Sequence, residues 1–408
     1  MKRIYKREAY LRQLRPFYDS DLIKVITGIR RCGKSCLLRT VMDELRERGI
    51  PDKDILYLNL DERGLLAVKT PEQLAEAIDA RITDQAFKYL FIDEIQNVAN
   101  FEPLINAYRE TGNCSIFITG SNSYLLSGEL VTKLTGRFVE IPMFTLSFSE
   151  YLDMRRFLQL HLDSPTEEFS RYIREGGFPQ TLEFSDPQAK ALYLRNLMDQ
   201  ILRKDVTPHA KIRNLLAFDR ARHFIINNFG ATTNLSAVAS YLTQAGQATI
   251  RPQTLKRYAD ILANAKIIFP CRRFDLKSRK SLQNEGKFYL CDTGIYFANN
   301  PDGRINYGPI LENVLFTHLV SRGYTVSVGR IGKLECDFIA SKNGAYAFIQ
   351  VAMTIAASPD TEDREYRALE AIRDNSPKYL FTLDTLLQRR NGIRHLNLID
   401  FIASQQEL

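Results

Sequence analysis

Across the first 150 residues, short apolar runs alternate with stretches whose apolar positions recur every three or four residues. The runs are Leu22–Ile26, Ile55–Leu60, Tyr89–Ile92, Ser115–Thr119 and Phe138–Ile141. A strand covered on both faces reads as a continuous apolar run rather than an alternating one. Five such runs separated by helical patterns predict a parallel α/β sheet. Between the first two lie Leu37, Leu38, Val41, Met42 and Leu45, one face of a helix. From about Ser147 to Lys211 the pattern is mainly helical, broken by the turn Gly176-Gly177-Phe178-Pro179. From Leu215 to Asp292 it predicts three helices and a hairpin. From Gly308 onward an α/β pattern returns, with a helix over Ile310–Ser321 and strands near Tyr324–Val328, Cys336–Ala340 and Ala345–Val351. The expected organisation is residues 1–146, 147–212, 213–300 and 301–408.

Length and composition change this picture little. The chain has 408 residues, 45% of them hydrophobic and 25% charged, which excludes disorder, collagen and coiled coil as global descriptions. No apolar run approaches the roughly 18 residues of a membrane span. Met1-Lys2-Arg3-Ile4-Tyr5-Lys6-Arg7-Glu8 has no apolar stretch behind it. The expectation is a cytoplasmic protein without a signal peptide and without membrane association. The six cysteines (32, 36, 114, 271, 291 and 336) contain no Cys-x-x-Cys, and the five histidines are dispersed. This pattern predicts reduced thiols and no zinc site.

Charge adds more. Between Arg203 and Lys280 stand 15 Lys and Arg against 4 Asp, a net of +11, while the rest of the chain carries −4. A local excess of this kind is the footprint of a nucleic-acid-binding surface, or of a basic face against an acidic partner domain.

Gly28-Ile29-Arg30-Arg31-Cys32-Gly33-Lys34-Ser35 follows the first strand and opens a helix, with Cys36 next. Glycines let backbone N–H groups curl around phosphates, and the helix N-terminus adds its positive end. Lys34 is expected at the β/γ-phosphates and the Ser35 hydroxyl on Mg²⁺. The run Tyr89–Ile92 ends in Asp93 and Glu94. Carboxylates there fall at the strand ends where open α/β sheets bind ligands. Asp93 is expected to hold the hydrated metal and Glu94 to act as general base on water. Ser121 or Asn122, after the fourth strand, is a candidate for positioning that water or sensing the γ-phosphate, and the sequence leaves the choice open. Arg137, just before the fifth strand, is a candidate finger that stabilises transition-state charge on a neighbouring subunit's nucleotide. Its alternative is a surface arginine after a helix-ending glycine.

Together these residues resemble the AAA+ branch of P-loop ATPases. More narrowly, the chain is similar to archaeal and bacterial AAA+ ATPases with a C-terminal restriction-endonuclease-like domain. The matching pieces are Gly28–Ser35, Phe91-Ile-Asp-Glu-Ile-Gln96, Thr119-Gly-Ser121, Leu134-Thr-Gly-Arg137, Leu146-Ser-Phe-Ser-Glu150 and Gly176–Pro179. The resemblance implies ATP as ligand, a lid in which Gly177 and Pro179 lie over the adenine, and self-association in a homo-oligomeric ring.

Asn234–Leu242, a turn near Gly246 and Arg251–Tyr258 read as helix-turn-helix, with Pro252 at a first helical position. Leu255, Tyr258, Ile261 and Leu262 form its inward face, and Lys256 and Arg257 point the other way. The following hairpin carries Arg272, Arg273, Lys277, Arg279 and Lys280, so the expectation is a winged helix gripping DNA phosphates. In the tail, Glu312, Asp337 and Phe348-Ile-Gln350-Val-Ala352 resemble the PD-(D/E)xK nuclease core. Gln350 replaces its second carboxylate and Ala352 its lysine, so cleavage is expected to be lost or severely weakened, unless Arg364-Glu365 or Lys378 substitutes. The expected fold is thus α/β: an AAA+ parallel sheet, a helical lid, a winged helix and an α/β restriction-endonuclease-like domain. The expected function is Mg²⁺-dependent ATP hydrolysis coupled to remodelling of, or translocation on, duplex or branched DNA. Two alternatives stay open: a nucleotide-dependent assembly switch and, disfavoured, an ATP-gated nuclease.

Overall fold

A computed structural model describes residues 4–120, 136–207, 210, 212–244, 250–276, 280–300, 306–332, 334–404 and 406–408. The chain forms two compact units, Met1–Phe144 and Thr145–Leu408.

The first unit begins with helix α1 (Glu8–Leu14). Its sheet contains β1 (Ile23–Gly28), β2 (Ile55–Asn59), β3 (Lys88–Asp93), β4 (Cys114–Gly120) and β5 (Phe138–Met143). All neighbours are parallel, in the order β2-β3-β4-β1-β5. Parallel neighbours require crossovers, and α2 (Lys34–Glu47), α3 (Pro71–Asp79) and α4 (Glu102–Glu110) supply three of them. Alternate strand residues Ile23, Val25, Leu56, Leu58, Leu90, Ile92, Ile116 and Ile118 pack with Leu74, Ile78 and Ile105 in one buried cluster. Phe91 and Phe117 stack at 4.6 Å between centroids, from the intervening positions. Apolar residues of both parities are therefore buried, as the continuous runs predict. This is the P-loop AAA+ sheet with its helices.

The second unit opens with three helices, α5 (Phe148–Phe157), α6 (Pro165–Glu175) and α7 (Pro187–Ile201). Leu146-Ser-Phe-Ser-Glu150 acquires a local explanation here. The Glu150 N–H donates to the Ser147 hydroxyl, and the Ser147 N–H donates to the Glu150 carboxylate, a reciprocal cap that starts α5. Then follow α8 (Leu215–Asn227), β6 (Thr233–Asn234), α9 (Leu235–Gln244), α10 (Pro252–Asn264) and the hairpin β7 (Ile268–Asp275) and β8 (Lys280–Leu290). After α11 (Gly294–Asn299) comes α12 (Tyr307–Ser321), then β9 (Thr325–Ile331), β10 (Leu334–Lys342) and β11 (Ala345–Val351). The chain continues through α13 (Pro359–Glu370), β12 (Lys378–Thr382), β13 (Arg389–Arg390), β14 (Ile393–Asn397) and α14 (Leu398–Ala403).

These strands make one nine-stranded sheet, ordered β13-β14-β12-β11-β10-β9-β7-β8-β6. Its joint lies at β7, where Arg273, Phe274 and Asp275 pair in parallel with Val328, Gly329 and Arg330 of β9. Sequence patterning places the hairpin and the tail in separate segments, 213–300 and 301–408. The ladder nevertheless runs through both, because β7 has hydrogen-bonding groups on two edges and β8 uses only one.

Candidate functional site

The glycine-containing segment Gly28–Ser35 lies at the carboxyl end of β1. Gly28 ends that strand at φ 152°, where a Cβ would collide with the Met143 carbonyl oxygen. Gly33 caps α2 at φ 108°, a conformation that glycine adopts without a Cβ penalty. Arg31 is also left-handed, at φ 68°. These dihedrals turn the chain sharply between strand and helix, so the first N–H groups of α2 remain without intrahelical acceptors. The Lys34 side chain is 4% exposed, and its ammonium donates to the carbonyl oxygens of Gly28 (3.0 Å) and Ile29 (3.3 Å). Ser35 follows it in the first turn of α2. Ile29 and Cys32 are buried, and burial pushes the Cys32 thiol up, which leaves it an inert packing group. Cys36 is exposed, and Arg30 lies 3.8 Å from Asp61.

A residue that sequence reading missed holds this loop. Arg7, buried ahead of α1, donates from one guanidinium nitrogen to the Cys32 carbonyl (3.1 Å) and the Phe144 carbonyl (2.7 Å). Only its charge near the chain start was visible, and charges there are usually solvated.

Parallel register sets the acidic pair at the same edge. Thr27 pairs with Gly120, Ile92 with Ile118 and Asn59 with Asp93, so β1, β2, β3 and β4 end together. Asp93 is buried, and its carboxylate accepts from the Tyr57 hydroxyl (2.9 Å) and the Thr119 hydroxyl. Burial and the Asp93 charge push the Tyr57 hydroxyl above the usual tyrosine range, so it stays a donor. Thr119 also accepts from the Glu94 N–H (3.0 Å). One hydroxyl thus ties both members of the acidic pair to the end of β4. Glu94 itself is left-handed, φ 59°, and its carboxylate accepts from the Gln96 side-chain amide. Tyr57 and Thr119 are polar residues in or beside apolar runs, a signal that sequence reading left unused.

Ser121 and Asn122 lie outside the described residues. Arg137 precedes β5, at the amino edge of the sheet, opposite the phosphate loop. Its guanidinium reaches Asn106 (3.0 Å) and Glu110 (3.6 Å) on α4 and remains 44% exposed.

In the second unit, Gly177 is fixed from both sides. Its N–H donates to the Asp292 carboxylate (2.7 Å), and its carbonyl accepts from the Leu146 N–H (2.7 Å). A Cβ at Gly176 or Gly177 would strike Asp292 or the Leu146 carbonyl. Burial raises the Asp292 carboxyl to about 6, against the opposing hydrogen bonds from Gly177, Gly294 and Thr145. Pro179 starts a short 3₁₀ turn, Pro179–Glu183.

The basic residues separate into two groups. Lys256 and Arg257 on α10 and Arg272 on β7 are exposed. Arg273 departs from the expectation of a DNA-facing side chain: it is turned onto Glu335 of β10, because the β7–β9 joint brings the hairpin beside the tail strands. Lys277 and Arg279 lie outside the described residues, and Lys280 begins β8.

In the tail, Glu312 on α12 and Asp337 on β10 are brought together, joined by Glu335. Lys287 of β8 stands among them, 6% exposed, and its ammonium lies 2.8 Å from Glu312, 3.1 Å from Glu335 and 3.7 Å from Asp337. Burial opposes the charge on Lys287, but Glu312, Asp337 and Glu335 outweigh it and hold the ammonium above the ordinary lysine range. Burial and the Glu312 charge push the Asp337 carboxyl well up. The Tyr289 hydroxyl donates to Glu312 (2.7 Å), and the Val351 N–H donates to Asp337 (2.8 Å). Gln350 is not part of this cluster: its amide donates to Glu365 (3.1 Å). Neither substitute for the missing lysine reaches the cluster, since Arg364 pairs with Glu365 and Lys378 donates to the Ile372 carbonyl. Among the described residues, no group of three His, Cys, Asp or Glu is arranged to hold a metal ion. No helix among them is long and apolar enough to cross a membrane.

Residues 20–152 match the family model described as "AAA domain", and residues 166–301 match a domain of unknown function. An uncharacterized protein of Haemophilus influenzae is 34% identical over 407 residues, covering 98% of this chain and 99% of that protein. An uncharacterized protein of Methanocaldococcus jannaschii is 30% identical over 363 residues, covering 86% of this chain and 79% of that one. Among solved structures, a Walker-type ATPase of Pyrococcus abyssi superposes with a TM-score of 0.49 at 16% identity, over 73% of this chain and 96% of that one.

Proposed function

Because the chain belongs to the family of these Haemophilus and Methanocaldococcus proteins and carries an AAA domain, we propose that it is an ATPase whose turnover is coupled to work on DNA. The observation that carries this reading is the shared carboxyl edge of β1, β3 and β4, where the segments bearing Lys34-Ser35 and Asp93-Glu94 leave the sheet. The loop between Gly28 and Lys34 holds a glycine-dependent turn and a buried cation, the donor set that a nucleotide's phosphates require. Lys34 exchanges two carbonyl oxygens for phosphate oxygens. Ser35 and Asp93 present a hydroxyl and a carboxylate, hard oxygen donors that suit Mg²⁺. When bound there, the ion neutralises charge that develops on the transferred phosphoryl group. Thr119 positions the Asp93 carboxylate and the Glu94 backbone, and Glu94 takes the proton of the attacking water after Gln96 releases it.

Arg137 serves a neighbouring subunit in a homo-oligomer: it is half exposed at the edge of its own sheet opposite its own phosphate loop. The order α8-β6-α9-α10-β7-β8 supports a winged-helix reading, in which the exposed Lys256, Arg257 and Arg272 would meet DNA phosphates. The order α12-β9-β10-β11-α13-β12 supports the reading of the tail as a restriction-endonuclease-like core. Gly177 and Pro179 belong to a nucleotide lid. A second reading, a nucleotide-dependent assembly switch without DNA, is favoured by one observation: Arg273 and Lys287, two cations of the basic hairpin, are already paired inside the protein.

The deciding experiment is steady-state ATP hydrolysis at fixed salt, without DNA and with linear duplex, single strands and a branched junction. Stimulation by one of these, abolished in Lys34→Ala, supports the motor reading. Turnover indifferent to every DNA replaces it with the switch. Glu94→Gln is expected to bind ATP without turning it over, and normal turnover in that variant overturns Glu94 as the base.

A further inference from the structure

Read as restriction-endonuclease-like, the tail implies a divalent ion at its carboxylates, and the side chains present do not fit one. Glu312, Glu335 and Asp337 converge, but the point where they converge is taken by the Lys287 ammonium, at 2.8, 3.1 and 3.7 Å. Of the three remaining oxygens, those of Glu335 and Asp337 are committed as well. The same Glu312 oxygen accepts from Tyr289, the second Glu335 oxygen takes Arg273, and the second Asp337 oxygen accepts from the Val351 N–H. Gln350, the residue where a further ligand would stand, is turned to Glu365.

We propose that Lys287 is the resident cation of this centre. It occupies the position of a divalent ion, neutralises the carboxylates from within the chain, and closes the centre to metal-dependent hydrolysis. The substitution comes from outside the tail: Lys287 and Arg273 both belong to the hairpin β7–β8. The carboxylates therefore clamp the hairpin onto the tail sheet, in addition to the β7–β9 ladder. Two cations against three carboxylates leave a single unit of negative charge to be offset by the hydrogen bonds from Tyr289 and Val351. A fixed ammonium and a divalent ion cannot share one buried site, since like charges at such separations repel strongly. The lysine of a metal-dependent nuclease acts beside the ion, whereas Lys287 stands in its place.

The test is Mn²⁺ binding followed by electron paramagnetic resonance on the full-length protein without nucleotide or DNA, which keeps it independent of the ATPase reading. Wild type is expected to show no bound Mn²⁺ that disappears in Glu312→Gln. Lys287→Met is expected to gain about one ion per chain, bound roughly tenfold or more tighter than by wild type, and to lose it again in Lys287→Met/Glu312→Gln. A wild-type ion abolished by Glu312→Gln overturns the proposal, and this comparison decides even if Lys287→Met does not fold. A folded Lys287→Met protein that gains no ion overturns it too.

Discussion

Lys34 of the phosphate loop and Lys287 of the hairpin are buried to nearly the same degree, yet their charges are used in opposite ways. Lys34 donates to two backbone carbonyls. Carbonyl dipoles solvate an ammonium without cancelling its charge, so an anion still gains by replacing them. Lys287 faces carboxylates that do cancel it. A buried lysine therefore signals anion binding only when its partners are neutral. Residue type, burial and even a basic neighbourhood do not separate the two cases.

Four measurements break or sharpen this contrast. The largest effect is expected for Lys34→Ala: ATP turnover falls by about 10²-fold or more, while stability changes little, because the carbonyls it leaves can turn to water. Unchanged turnover would remove Lys34 from the chemistry. Lys287→Met should do the reverse. Stability in urea drops by about 3–5 kcal/mol, the cost of stranding buried carboxylates, and ATP turnover by the remaining folded protein is retained. Equal stability in the two variants would erase the contrast.

Asp292 is the carboxylate counterpart, buried without a cation and held by backbone N–H groups. Its carboxyl is raised from 3.8 to about 6. Protons therefore bind the folded form more tightly, and stability is lost as pH rises through that window. Asp292→Asn should flatten the slope between pH 4 and 6. It should also cost about 1–3 kcal/mol, since the amide nitrogen cannot accept one of the two N–H bonds. A slope that survives would assign it elsewhere.

The smallest effect concerns a third buried lysine. Lys24 lies ten residues before Lys34, donates to the Ser115 hydroxyl (2.7 Å) and the Ser20 carbonyl (3.1 Å), and sits 4.6 Å from the Phe117 ring. Burial lowers it from 10.5 to about 7 and outweighs the opposing charges of Cys114, Asp19 and Asp21. Its neutral form is the one the fold prefers, so it adds stability as pH climbs from about 7 toward 10 and withdraws it on acidification. Lys24→Met should abolish that slope in thermal unfolding curves and leave turnover unchanged.

The turn at Gly28–Ser35 and the end of β3 at Asp93 follow the sequence pattern because every signal there is local: an apolar run, then the polar residues that end it. The predicted Leu22–Ile26 and the observed Ile23–Gly28 differ by one residue at the start and by two where the motif begins. The tail was half legible. Glu312 and Asp337 carry the pattern, but Lys287 precedes Glu312 by 25 residues, beyond the basic stretch that ends at Lys280, where nothing local marks it. Its role depends on the parallel β7–β9 pairing, which no periodicity encodes. Gly177 has the same difficulty: 115 residues separate it from Asp292, so Gly176-Gly177 reads as a turn, and the acceptor that requires it is invisible.

The β7–β9 ladder also sets the order in which the chain can mature. During synthesis β7 and β8 emerge before residues 325–331 exist, and until β9 arrives one edge of β7 offers free N–H and C=O groups. Such an edge is a template for pairing with another chain, and the long separation makes its closure slow. A chain cut after Asn300 keeps that edge permanently open. Residues 145–408 form one compact unit, and a fragment that stops before β9 leaves unpaired the edge of β7 that the ladder covers.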